Sequence, residues 1–221
     1  MMKNKINELI KNGVKILDPD RLDIRGELDC GLNVEIDINV IFNGKVSLGD
    51  NVKVGAHCII TNSNIGNGTE VKPYSLIEGA NIGENGFVGP FVRIREGSFI
   101  GSKVQLGNFV EIKNVQIGDG CRINHMTFLG DSVLGDNVTI GAGSITCNYD
   151  GATTHKTTIE SDVFIGSGTN LIAPLNVGRK ATIGSGSTIT DDVPPDKLTL
   201  ARERQVTVQN WKGVRNITKD K

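Results

Sequence analysis

Residues 81–112 read NIGENGFVGPFVRIREGSFIGSKVQLGNFVEI, and in that stretch an aliphatic residue returns every sixth position: Ile82, Val88, Ile94, Ile100, Leu106, Ile112. A second run is Ile159, Ile165, Leu171, Val177, Ile183, Ile189. The beat slips by one residue from Ile60 to Ile65, Ile77 to Ile82, Ile112 to Ile117 and Leu129 to Leu134, yet it stays recognisable from Ile36 to Ile189. An amphipathic helix would space its apolar residues by three and four, and a half-buried strand by two. A period of six belongs to a parallel β-helix, in which each unit supplies one short strand and one turn and three units close a coil. The interval predicts roughly eight or nine coils.

Composition agrees with a single solenoid domain. Among 221 residues there are 28 glycines and few aromatics, as expected for recurrent tight corners around a narrow stack of small branched side chains. The formal net charge is −1, which gives no electrostatic case for nucleic acid or an anionic membrane. Cys30, Cys58, Cys121 and Cys147 form no close pair and no CxxC, so free thiols in a reducing compartment are expected. No signal peptide or membrane span is legible, and the expected location is the cytoplasm.

Three regions break the beat. Residues 1–13 contain an amphipathic helix over Lys3–Asn12, with Ile6, Leu9 and Ile10 on one face and Gly13 as its stop, suited to cap the first coil. Residues 14–193 form the β-helix, interrupted by residues 147–156, CNYDGATTHK, where turn formers predict a projecting loop, either functional or plain surface. Residues 194–221 read as a tail, ordered at first and frayed over Asn216–Lys221.

Of the three histidines, His57 lies in an early coil without charged neighbours and reads as structural, and His155 belongs to the loop. His125, in INHMTFLGD, sits at an offset pointing away from the core. By itself it would read as a solvated surface residue. Glu111, Lys113, Arg93 and Arg95 precede it at spacings that suggest convergence of a carboxylate and cations on the imidazole, the equipment of a general base beside an anionic substrate. A zinc site built from histidines needs a closely spaced pair, and the nearest two here are His125 and His155. No P-loop or GxGxxG follows a strand, so the glycines read as corners.

The segments DPDRLDIRG, VEIDINVIF, GPFVRIREG, GNFVEIK, GDNVTIGAGSITCNYDGA and DVFIGSGTNLIAPLNVG resemble the acetyltransferase half of the bacterial bifunctional enzymes that acetylate glucosamine 1-phosphate and then uridylylate it. The resemblance runs from Gly13 to Arg204; the nucleotide-binding uridylyltransferase half has no counterpart in these residues. It implies a left-handed, all-β parallel β-helix associating as a homotrimer, acetyl-CoA as co-substrate, no metal, and a place in cell-envelope polysaccharide biosynthesis. It makes His125 the general base, with Glu111 close to the catalytic group. Arg95 and Lys113 match cations that grip the sugar phosphate, and Asn148 and Tyr149 match loop residues of the acceptor site. Ala142, Ser167, Ser185 and Arg202 match the coenzyme A groove, with the Ala142 amide placed to steady an oxyanion. Departures fall on the acceptor side, where Phe128, Thr139 and Thr154 replace tyrosine, asparagine and lysine. The resulting expectation is an acetyl-CoA-dependent N-acetyltransferase acting on a phosphorylated or nucleotide-linked amino sugar. The alternatives are a stand-alone glucosamine-1-phosphate acetyltransferase and a non-catalytic scaffold.

Overall fold

The computed structural model describes residues 2–211, and in them the hexapeptide beat becomes a left-handed parallel β-helix. One face is an eleven-stranded sheet running from Lys15–Ile16 to Leu198–Thr199, each strand paired only with the coils before and after it. The other two faces merge into one fifteen-stranded sheet, because strands such as Asp23–Cys30, Ile41–Leu48, Glu111–Ile117 and Phe128–Leu134 run on around a corner. Eleven strands on one face make ten coil-to-coil steps, more than the beat alone predicts. The last rung escapes the beat because Thr199 stands where earlier coils place an aliphatic residue.

The beat residues are the core. Ile36, Val54, Val71, Val88, Leu106, Ile123, Ile140, Ile165 and Ile183 stack in one unbroken register, all buried. Each such side chain stabilises the fold by about 1.5–3 kcal/mol relative to exposure. At the open first coil the helix Met2–Lys11 buries Ile6 and part of Leu9. It ends at Gly13, whose φ of 89° is the left-handed conformation glycine adopts without penalty, while Val14 N donates to Leu9 O. Ile10, expected on the buried face, is instead 42% exposed.

The corners carry most of the left-handed backbone. At one of them Asn33, Asn51, Asn85 and Asn137 hold φ between 55° and 58°, as suits a residue that tolerates this region. A second corner is unusual: His57, Tyr74, Phe91, Phe109 and Met126 occupy it with positive φ, and in the next three coils the corner becomes Gly143, Gly168 and Gly186. The four rings stack with centroids 4.9, 5.1 and 5.4 Å apart. Such contacts contribute about 0.5–1.5 kcal/mol each, of the same order as the 1–2 kcal/mol that a left-handed non-glycine residue costs. His57 is therefore one end of an aromatic column, which the sequence does not reveal because its members lie 17 or 18 residues apart and outside the beat.

All four thiols are free. Cys58 and Cys121 are buried, donate to the carbonyls of Lys72 and Gly135 at 3.1 Å, and are pushed up to about 11 by desolvation; Cys30 is pushed up to about 12 for the same reason. Among the described residues no helix is long and apolar enough to cross a membrane.

Candidate functional site

The residues singled out above fall on two adjacent faces that meet at the aromatic corner. On the first, His125 ends the strand Arg122–His125 in register with Asn108. Carrying the pairings Ile123↔Ile140↔Ile165↔Ile183 two residues onward stacks His125, Ala142, Ser167 and Ser185 on four successive coils. Bonds between coils agree: Gly143 N donates to His125 O at 3.2 Å, Gly168 N to Ala142 O and Gly186 N to Ser167 O, each at 2.8 Å. With strands 4.7–4.9 Å apart, this column is roughly 14 Å long.

Its flanks are bare. The three upper coils read Gly141-Ala142-Gly143, Gly166-Ser167-Gly168 and Gly184-Ser185-Gly186. A Cβ on Gly141 would stand 2.4 Å from Ser167 N, and one on Gly166 would stand 2.4 Å from Ser185 N, so the close coil-to-coil approach requires glycine. The result is a strip with no side chain larger than serine, starting where the bulky corner stops at Met126, with His125 at its foot. Gly141 N and Gly143 N are used between coils, whereas the Ala142 amide between them donates to no described residue. At the top of the strip Ala201 is held by Ser187 Oγ and Thr188 N, and the exposed Arg202 follows directly. Thr139 lies on the same face, in register between Arg122 and Phe164.

On the second face Arg93, Glu111 and Phe128 are aligned in register, as are Lys113 and Gly130. Arg95 Nη1 lies 3.3 Å from Glu111 Oε1. A cavity of about 330 Å³ is lined by Glu78, Arg93, Arg95, Glu96, Lys113 and Asn114. A neighbouring cavity of about 300 Å³ includes Asn114, Asp131, Thr154, His155 and Lys156 in its walls. Asn114 is common to both, so the cations and the projecting loop border one continuous surface.

The loop departs where expected. Successive coils around it are 25 residues apart, as from Ile140 to Ile165, in place of the 17 from Ile123 to Ile140. It is internally organised: Tyr149 and Thr154 form an antiparallel bridge, and Tyr149 Oη donates to Gly151 O at 2.7 Å. Asp150 accepts from the backbone N–H groups of Ala152 and Thr153 at 2.8 Å and lies 2.6 Å from His155 Nε2. The Thr153 amide, then the His155 ring, then the Ala152 amide hold its carboxyl well below the usual carboxylate range. His155 is thus a loop clasp that also borders the cavity.

Glu111 and His125 make no bond to one another among the described residues. Glu111 pairs in register with Phe128, beyond the corner, and its carboxylate is engaged by Arg95. The His125 side chain is exposed and has no hydrogen-bond partner among the described residues. Two features went unread in the sequence. The triple Gly-Ala/Ser-Gly recurrence is visible in retrospect, whereas Asp131 carried no signal, sitting inside an ordinary LGDS turn.

A family model described as the GMPPB C-terminal domain matches residues 24–117, and one described as the hexapeptide repeat of succinyl-transferase matches residues 156–191. The bifunctional protein GlmU of Aromatoleum aromaticum is 49% identical over 210 residues, covering 95% of this chain and 46% of that protein. Its namesake from Nitrosospira multiformis is 52% identical over 206 residues, covering 93% of this chain and 45% of its own length. A solved Arabidopsis UDP-N-acetylglucosamine acyltransferase aligns with a TM-score of 0.47 at 14% identity, over 86% of this chain and 70% of that one. The chain spans about half the length of the curated relatives it matches. Identity near 50% sustained over 95% of the residues makes this chain a member of the GlmU family, corresponding to the hexapeptide-repeat part of those proteins.

Proposed function

We propose that this chain is an acyltransferase that moves an acetyl group from acetyl-CoA directly to the amine of a phosphorylated or nucleotide-linked amino sugar. The observation that carries the reading is the bare strip rising from His125: its length suits an extended thioester arm, and its foot is an exposed imidazole free to accept a proton. The amine nitrogen attacks the thioester carbon, the C–S bond breaks as the tetrahedral intermediate collapses, and His125 takes the proton lost by nitrogen. The unengaged Ala142 amide, one coil above His125, is suited to stabilise the developing oxyanion. Ser167, Ser185 and Arg202 flank the coenzyme arm and its phosphates. A covalent acetyl-enzyme has no support, since Cys121, the nearest thiol in sequence, is buried and pushed up to about 11.

The acceptor belongs on the second face. Arg95 and Lys113 supply cations for a phosphate, Glu111 is held by Arg95, and the loop brings Asn148, Tyr149 and Thr154. Two outward faces of a triangular prism turn away from one another, so a ligand seated on both needs a second copy of the chain. A homotrimer, in which each acceptor face lies against a neighbour's strip, satisfies that requirement.

The acceptor is expected to differ from glucosamine 1-phosphate. Phe128 offers an apolar ring edge, Thr139 lacks a carboxamide and Thr154 lacks a cation; each lost polar contact weakens binding by about 1–3 kcal/mol. Lys156 borders the same cavity as Thr154 and still places a charge nearby. The test is a panel of amino sugars, their 1-phosphates and their nucleotide derivatives, read by coenzyme A release and by a mass gain of one acetyl group. Poor turnover of glucosamine 1-phosphate, improved by combining F128Y, T139N and T154K, is expected. Efficient use of that substrate by the unmodified protein would favour the plain glucosamine-1-phosphate acetyltransferase. Coenzyme A binding without release on any acceptor would leave the scaffold.

A further inference from the structure

The corner opposite the aromatic column is where the projecting loop is rooted. Asn114 and Asp131 occupy it on consecutive coils with left-handed φ of 53° and 47°, and Asn148 opens the loop on the next. Asp131 is the link. Its Oδ1 accepts from Asn114 Nδ2 at 2.6 Å, and its Oδ2 accepts from Asn148 Nδ2 at 2.5 Å. Asn148 is only 8% exposed and in turn accepts, through its carbonyl, the N–H of His155 at 2.7 Å. One carboxylate therefore fastens the first residue of the loop, and that residue fastens the last clasp. The Asn148 carboxamide also lies against Gly130, where an added Cβ would meet Asn148 Nδ2 at 2.8 Å and the Phe128 ring at 2.9 Å.

We propose that Asp131 is a positioning residue for the acceptor: it holds the Asn148–Lys156 loop against the second face and so sets Tyr149 and Thr154 relative to Phe128 and Lys113. Among the described residues it forms no ion pair, and both of its oxygens are spent on carboxamides, so its role is to orient and not to bind substrate charge. The kinetic half of this inference rests on the acetyltransfer reading; the structural half does not.

The isosteric D131N tests it, because its amide can accept from only one of the two asparagines and turns its own NH₂, a donor, toward the NH₂ of the other. Loss of a charge-assisted hydrogen bond should raise amide exchange of loop residues 148–156 by roughly 10- to 100-fold. Exchange in the coils Val88–Leu106 should be unchanged, as should the melting temperature to within a few degrees. Pairing D131N with N148D keeps the bond from Asn114 and re-creates the bond between positions 131 and 148 with donor and acceptor exchanged, and should return the loop's protection. With acetyl-CoA and the best acceptor of the panel, D131N should raise acceptor KM roughly 10-fold while leaving the KM for acetyl-CoA within about twofold. Unchanged loop exchange in D131N, or a double variant no better protected than D131N, overturns the proposal. A loop that loosens with no acceptor turnover anywhere leaves the anchoring standing and removes only the acetyltransfer reading. Equal loss of kcat with both KM values unmoved overturns the positioning role.

Discussion

In the proposed reaction His125 is the residue on which the chemistry turns, and its surroundings determine what its removal should do. The side chain is exposed and bonds to no described residue, while its carbonyl accepts from Gly143 N and from Thr127 Oγ1 through backbone geometry that alanine preserves. His125→Ala is therefore expected to keep the fold and coenzyme binding and to lose about 10² to 10⁴ in kcat, the usual share of a positioned base. Calorimetric titration with coenzyme A alongside a turnover assay separates the two; activity within a few-fold of the original would take His125 out of the reaction. At this scale the sequence was most informative about residue type and least about neighbours. His125, Glu111, Arg95 and Lys113 could be picked out by chemistry, but the pairing of Glu111 with Arg95 rather than with His125 depends on which side of a corner each falls. The beat does not encode that, because it tracks only the buried positions.

The projecting loop is the element with a titratable hinge. Asp150 has its carboxyl held well below the ordinary range by the Thr153 amide, the His155 ring and the Ala152 amide. A depressed carboxylate contributes order that is complete above the unfolded value of about 3.9 and is lost as pH falls through the lower folded value. The Ala152 and Thr153 amide resonances should therefore hold steady from pH 7 to 5 and move only below about 4. Movement centred between pH 5 and 7 would mean that the Asp150 carboxylate does not control the loop. That a loop leaves at Cys147 was readable from CNYDGATTHK, because glycine and polar turn formers displace the aliphatic beat there. Its internal bridge between Tyr149 and Thr154 was not, since two residues facing each other across a four-residue turn leave no periodic trace. The helix shows the same division: its existence followed from Ile6 and Leu9, while the exposure of Ile10 reflects the narrow end of the prism on which it rests.

For the whole molecule, the proposed reaction uses the bare strip and the cationic cavity on different faces, which makes assembly a condition of that activity. Sedimentation should give a trimer, and specific activity should fall on dilution in parallel with loss of the trimer. A monomer that keeps full activity at high dilution would mean one chain suffices, and the two-face arrangement would have no catalytic meaning. The solenoid itself was legible from one end of the beat to the other, because a six-residue period has few structural solutions and each buried aliphatic residue repeats the same contact. The last rung was hidden because Thr199 takes the register position that Ile183 holds one coil earlier, so nothing aliphatic marks the beat there.

The eight extra residues between Ile140 and Ile165 return the chain to the same inward register they interrupted, since Ile165 stacks on Ile140 as Ile140 does on Ile123. In a solenoid each coil answers only to its two neighbours, so a corner can lengthen, shorten or change composition without a readjustment spreading through the rest. In the proposed reaction the donor strip and the acceptor loop thus lie on separate surfaces. The strip proposed to take the thioester is constrained at Gly141 and Gly166 by the backbone of the next coil, and a side chain at either is punished sterically. The loop and the second face are free to vary, so under the proposed reaction a chain on this scaffold can exchange one sugar for another while keeping the same acyl donor, with Phe128 and Thr154 as the kind of substitutions by which such a divergence proceeds.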